Sequence, residues 1–148
     1  TLHLFDPLGA EVLWPTAFEP HGPVAQGWLR MSHRARDDQR SLPYRPWHTH
    51  IASDPLTPGV VYEADVEIWP MSVVAPAGYR IGLSVRGQDY THELPGPPEK
   101  AYGRELLGSG AYWHELPGER DLPEFSGRTT LSGGAGGQPY VLLPVVPT

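Results

Sequence analysis

Cysteine is absent from the 148 residues, and lysine is nearly so, since Lys100 is the single lysine among 11 basic side chains. Without cysteine there is no disulfide, no thiolate nucleophile and no thiolate ligand for zinc, although the absence says little about compartment. The 17 acidic residues outnumber the basic ones for a formal charge of −6, and the arginines stand singly between acidic and apolar neighbours. No cluster of cations exists to release counterions from a phosphate backbone, so nucleic acid is excluded as a partner. No apolar run approaches the roughly 20 residues of a membrane-spanning helix, and no charged segment followed by an apolar one opens the chain. The expectation is therefore a soluble, cytoplasmic protein with no membrane partner. The first residue is Thr1, already inside an apolar alternating stretch, which suggests a chain cut from something longer whose lost start could have carried a leader.

What is abundant is proline and glycine, 18 and 17 residues, together with 5 Trp and 7 Tyr in a chain that is 39% hydrophobic. That much turn chemistry excludes a helical bundle, while the aromatics suffice for a core, so the expected class is all-β in one domain spanning residues 1–148. Val61 to Trp69 has the clearest period of two, with Tyr62, Ala64, Val66 and Ile68 alternating against Glu63, Asp65 and Glu67. Pro58-Gly59 turns the chain into it and Pro70 ends it. Arg80 to Gly87, introduced by Ala77-Gly78, is expected to be its partner strand. Further strands are read at Leu2 to Phe5 and Glu11 to Leu13, joined through Asp6-Pro7-Leu8-Gly9, at Val24 to His33, at Arg128 to Leu131, and at the nearly all-apolar Tyr140 to Val146. The glycine cluster from Ser132 to Gly137 suits a hairpin tip.

Residues 88–127 form an irregular loop of about 40 residues, a length that is usually functional or disordered. Its Tyr102, Tyr112, Trp113 and His114 are too many aromatics for a bare linker, so it is expected to pack on something; a short helix over Glu99 to Leu107 is weakened by Gly103.

Three chemistries can be weighed from the residues. A serine-hydrolase triad needs a strained strand-to-helix elbow, and the chain has neither a Gly-x-Ser-x-Gly motif nor a βαβ pattern; Gly108-Ser109-Gly110 is only loop. His48-x-His50 would point two imidazoles to one side of a strand, as in metal-binding cupins, but the glutamate such a site needs does not follow; Ile51, Ala52, Ser53 and Asp54 do. Two loop histidines bonded to backbone are the better account, and no metal or other cofactor is expected. Gly27-Trp28-Leu29-Arg30-Met31-Ser32-His33-Arg34 concentrates indole, guanidinium and imidazole on one expected strand, with Trp28, Arg30 and Ser32 on one face. A stack of Arg30 over an indole would explain it structurally, and a pocket wall or interface would explain it functionally. Trp47 and Trp113, if coplanar and exposed, would instead make a platform for a sugar ring.

The series Gln26-Gly27-Trp28-Leu29-Arg30-Met31-Ser32-His33-Arg34, Pro43-Tyr44-Arg45-Pro46-Trp47-His48-Thr49-His50 and Leu56-Thr57-Pro58-Gly59 continues through Val66-Glu67-Ile68-Trp69-Pro70-Met71-Ser72 and Ala77-Gly78-Tyr79-Arg80-Ile81. It ends on Tyr140-Val141-Leu142-Leu143-Pro144-Val145-Val146-Pro147. In this order it resembles the C-terminal, non-catalytic domain of X-Pro dipeptidyl-peptidases and of cocaine esterase-like acyl hydrolases, the CocE/NonD family, with the weakest match between Gln88 and Glu124. The resemblance implies a jelly-roll β-sandwich of galactose-binding-like type that lacks its opening strands, because the family's sandwich starts well before Leu2. It also implies that the serine, aspartate and histidine of catalysis lie in an α/β-hydrolase domain outside this chain, so no catalytic residue carries over. The expected role is to pack on and support that hydrolase domain, with Trp28, Arg30, His33, Arg34, Trp47, His48 and His50 as candidates for the interface or for a pocket wall. Exposed sheet edges would also permit a homo-oligomer. The alternative role is a carbohydrate-binding jelly-roll module.

Overall fold

The computed structural model describes residues 1–92, 97, 99–101, 103–110, 112–114, 116–118, 120–133 and 138–146. Among them, regular structure consists of strands and two single-turn 3-10 segments, with no α-helix, so the chain is mostly β as its composition implies. The strands are β1 (Leu2–Phe5), β2 (Arg80–Leu83), β3 (Lys100–Ala101) and β4 (Arg104–Glu105). The 3-10 turns cover Met31–His33 and Pro123–Phe125.

The entry of the chain folds as its turn residues dictate. Asp6 Oδ1 accepts the backbone N–H groups of Leu8 (2.9 Å) and Ala10 (2.8 Å), and Gly9 takes the positive φ of 94° that closes the loop. The chain then returns beside β1, with Phe5 bridged to Glu11 and Val12 N–H donating to the Leu4 carbonyl at 2.8 Å.

On its other edge β1 pairs antiparallel with β2 in the register Leu2 to Leu83, His3 to Gly82, Leu4 to Ile81 and Phe5 to Arg80. The expected strand at Arg80 to Gly87 is thus present in its first half, but its partner is β1 and not Val61 to Trp69. That alternating segment forms no strand: Val61 and Val66 are exposed, and its main tie is the Trp69 N–H bond to the Gln26 carbonyl at 2.9 Å. Alternation creates an apolar face but does not supply a ladder, and here the backbone at residues 26–27 approaches residues 67–69 closely yet makes only the one bond and no strand pairing. Tyr140 to Val146 and Arg128 to Leu131 also carry no strand, and their side chains are exposed.

The Val24 to His33 segment is a single bridge, Ala25 to Leu2, followed by irregular backbone that tightens into the 3-10 turn at Met31–His33. A 3-10 turn ends the period of two, so Trp28, Arg30 and Ser32 do not form one strand face. In the long loop the structure has an antiparallel β3–β4 hairpin where a short helix was conceivable; Gly103, at φ 76°, makes the turn. Tyr102 and most of the expected tip at Ser132 to Gly137 lie outside the described residues.

The core is small. Leu4, Val24, Tyr90 and Leu106 are its buried apolar side chains, and His3, Glu19 and Ser109 are buried among them. Fully burying a side chain such as Leu4 or Val24 contributes about 1.5–3 kcal/mol. The core gathers β1, residues 22–25, Tyr90 and the 106–110 turn, where Gly108, at φ 114°, lies flat against the Tyr90 ring and leaves no room for a Cβ.

Candidate functional site: an aromatic cavity and an uncovered apolar surface

Tyr90, His92 and the stretch that returns through Glu11 bring acid and base groups together beside β1. His3 Nδ1 lies 2.6 Å from Glu11 Oε1, His3 Nε2 lies 2.7 Å from Ser84 Oγ, and the Tyr90 hydroxyl donates to Glu11 Oε2 at 2.9 Å. Burial, then the hydrogen bond to Glu11, pushes the Tyr90 phenol well above its ordinary value of 10. Serine, histidine and carboxylate occur here in the order of a hydrolase relay. Yet none of the three lines the cavity described below, and Glu11 is shared with Tyr90, so the cluster serves to tie β1, β2 and the Tyr90 segment together.

The sequence-derived candidates separate into four places. Trp28 joins an aromatic cluster: its ring centroid is 5.7 Å from that of Trp69, 5.2 Å from Tyr112 and 5.7 Å from His114, and Trp69 meets Tyr112 edge-on at 4.8 Å. Tyr112 and His114 of the long loop therefore do pack on the body of the chain. Arg30 stacks over Phe125 at 4.8 Å rather than over an indole. Trp47 carries the Arg40 guanidinium on its face at 3.7 Å, and Trp113 is half-buried with its indole N–H unpartnered.

His33, Arg34, His48 and His50 do come together. The His50 ring is 5.6 Å from that of His33 and 5.9 Å from that of His48. His48 places Nδ1 3.2 Å from the Arg34 carbonyl and Nε2 2.9 Å from the Asp65 carbonyl, which is the backbone-bonded state expected of it. Arg34 is held by an ion pair with Asp54, by hydrogen bonds to the Met31 and Asp54 carbonyls, and by the Tyr62 ring at 4.3 Å. A hydrogen bond from Thr57 lowers the Tyr62 phenol below its usual value. No group of three or more His, Asp or Glu among the described residues has metal-holding geometry.

A cavity of about 200 Å³ opens beside Trp28. Its walls include Trp28, Trp69 and Tyr112, and its polar side chains include Glu19, Gln26 and Ser109. Glu19 is 4% exposed; its Oε1 accepts the His21 N–H at 2.9 Å and its Oε2 the Gly110 N–H at 3.1 Å. Ser109 is fully buried and donates to the Tyr90 carbonyl at 2.8 Å, while the Gln26 amide donates to the Gly108 carbonyl at 3.2 Å. Of these residues only Trp28 was a candidate site residue from sequence, although Tyr112 was among the loop aromatics expected to pack. Glu19 reads as one acid among many, and Tyr112 and Trp69 reach Trp28 across long stretches of chain that leave no local signal.

Around this cavity and beyond it, large apolar side chains stand in solvent. Val61, Val74, Val145 and Val146 are each more than four-fifths exposed, and Trp69, Met71, Ile81, Leu83 and Leu142 are about half exposed. Among the described residues no helix is long and apolar enough to cross a membrane.

Among the described residues the chain is mostly β, with a small core, a small cavity beside Trp28 and many large apolar side chains in solvent. Over residues 1–141 it matches the family model described as X-Pro dipeptidyl-peptidase C-terminal non-catalytic domain, and the chain belongs to that family, one of β-sandwich domains. Proteins of Mycobacterium bovis and Mycobacterium tuberculosis, each named "Putative serine esterase", are 35% identical to it over 103 residues, which is 62% of this chain and 16% of theirs. The chain thus spans about a sixth of the length of these curated relatives. No solved structure matches it.

Proposed function

We propose that this domain packs against an α/β-hydrolase domain of the same protein, holds it in its active form and borders access to its substrate, with no chemistry of its own. The observation that carries the proposal is the apolar surface left in solvent by a chain of a non-catalytic C-terminal family. Patches of that kind mark surfaces made for a partner. We take residues 1–148 as one domain of jelly-roll type, with residues 88–127 as its irregular loop. The parent reaction would be attack of an activated serine on an ester or amide carbonyl through an acyl-enzyme. The name carried by the mycobacterial relatives favours an ester, and the wider acyl hydrolase group adds peptides with proline in second position and β-lactam-type side chains. Trp28, Arg30, His33, Arg34, Trp47, His48 and His50 are the proposed contacts; the gathering of His33, Arg34, His48 and His50 and the place of Trp28 in the cavity wall support this reading.

The test is made in the full-length parent enzyme. Alanine at Trp28, Arg30 and His48 together should lower its melting temperature by several degrees and its kcat/KM at least tenfold. Unchanged melting and kinetics would remove these residues from the interface.

A further inference from the structure

We propose that the cavity beside Trp28 is a binding site for a small organic cation of the tertiary or quaternary ammonium class. The inference goes beyond the docking role proposed above, which counts Trp28 of the same cavity among its contacts. Its first support is charge. Among the described residues Glu19 is the only charged one lining the cavity; His21 lies beside it, with Nδ1 3.5 Å from Glu19 Oε1, and His114 packs on the Trp28 ring with centroids 5.7 Å apart. Each Glu19 oxygen accepts one backbone N–H and keeps acceptor capacity for another partner. A buried carboxylate attracts a cation far more strongly than one in water does.

The second support is the wall. Trp28, Trp69 and Tyr112 pack on one another at centroid distances of 4.8–5.7 Å and all three line the cavity, so its wall on this side is the outer surface of one aromatic cluster. Ring faces carry negative potential and hold alkylammonium groups that are poorly hydrated. The third support is the state of the remaining polar groups. The Ser109 hydroxyl and the Gln26 amide already donate to backbone carbonyls, so a ligand rich in hydroxyls would find few free donors, whereas an ammonium needs none. The volume of about 200 Å³ suits a ligand of roughly ten heavy atoms or fewer.

The experiment titrates the whole 148-residue chain with choline and, separately, with 3,3-dimethylbutan-1-ol, which has the same shape without the charge. Tryptophan fluorescence is followed at constant ionic strength. Choline should give a saturable change with a Kd about tenfold below that of the alcohol. Glu19→Gln should abolish that preference while leaving the alcohol's affinity unchanged. Should Glu19→Gln fail to melt cooperatively, Tyr112→Leu, at a half-exposed position, takes its place and should reduce choline binding severalfold with the alcohol unaffected. Equal affinities for the two probes would reduce the cavity to an apolar hole, and no saturable response to either would show that it is not a binding site. Full choline preference in the Tyr112→Leu variant would overturn the role of the rings.

Discussion

Gly27 runs so close to Glu67 that a Cβ built on it would collide with the carbonyl oxygen and sit 2.9 Å from the carbonyl carbon. Backbone cannot move aside as a side-chain tip can, so Gly27→Ala should cost about 1–3 kcal/mol. Gly87→Ala is the matched control: nothing lies within 4 Å of its Cβ position and its φ is ordinary, so stability should stay within about 0.5 kcal/mol. Urea unfolding of the two variants measures both. Equal midpoints would mean that residues 26–27 do not press on residues 67–69 in solution. At this scale the sequence is informative about chemical character and silent about neighbours. The density of groups from Trp28 to Arg34 stands out in one reading, and Arg34, His33, His48 and His50 do gather. What Arg30 stacks on, and which rings meet Trp28, depend on Phe125, Trp69 and Tyr112, residues remote in sequence that no short-range pattern links to it.

The elements are tied by buried polar contacts as much as by ladders. Tyr90 links its own segment to the returning stretch that carries Glu11, and among the described residues His3, His92, Glu19 and the Arg86 guanidinium, 5.1 Å from the Tyr90 ring centroid, are the other charged or titratable groups around it. Its phenol ionises near 10 in the unfolded chain and higher in the fold, so above pH 10 the unfolded state loses the proton first. The stability due to this proton is complete below pH 10 and falls as the pH rises past it. Urea midpoints of the native chain should therefore fall as the pH rises from 10 to 12, and those of Tyr90→Phe should be flatter over that range. Parallel declines in both proteins would show that Tyr90 is not the group responsible. Element legibility follows locality. The Asp6 to Gly9 turn is written in adjacent residues and folds as read, and Gly103 forms a hairpin turn where a helix would have needed it to be neutral. The β1–β2 pairing is not local, since His3 and Ser84 meet across 81 positions, and so the alternation at Val61 to Trp69 suggested the wrong partner for Arg80 to Leu83.

For the molecule as a whole, the balance between core and surface decides behaviour. Four buried apolar side chains among the described residues are few for a chain with this hydrophobic content, and the apolar residues that a sandwich would enclose remain outside. Such a surface lowers its free energy by meeting another apolar surface, at about 25 cal/mol per Å² removed from water. In isolation the chain offers only itself as that partner. Sedimentation should therefore show a mass that rises with concentration above the 16.3 kDa of one chain, accompanied by binding of a hydrophobic fluorescent dye. Val61 and Val146 are 82% and 86% exposed, so glutamate at both adds charge to the surface without opening the core. The double variant Val61→Glu, Val146→Glu should shift the sedimentation toward 16.3 kDa and weaken dye binding, with its melting temperature within a few degrees of the native value. A native chain that stays at one mass and binds no dye over the same range would mean that this apolar surface is covered from within, and the surface argument for a docking role would be lost. A double variant that still associates would instead locate the contact elsewhere, with the Ile81 and Leu83 side of β2 as the next surface to charge.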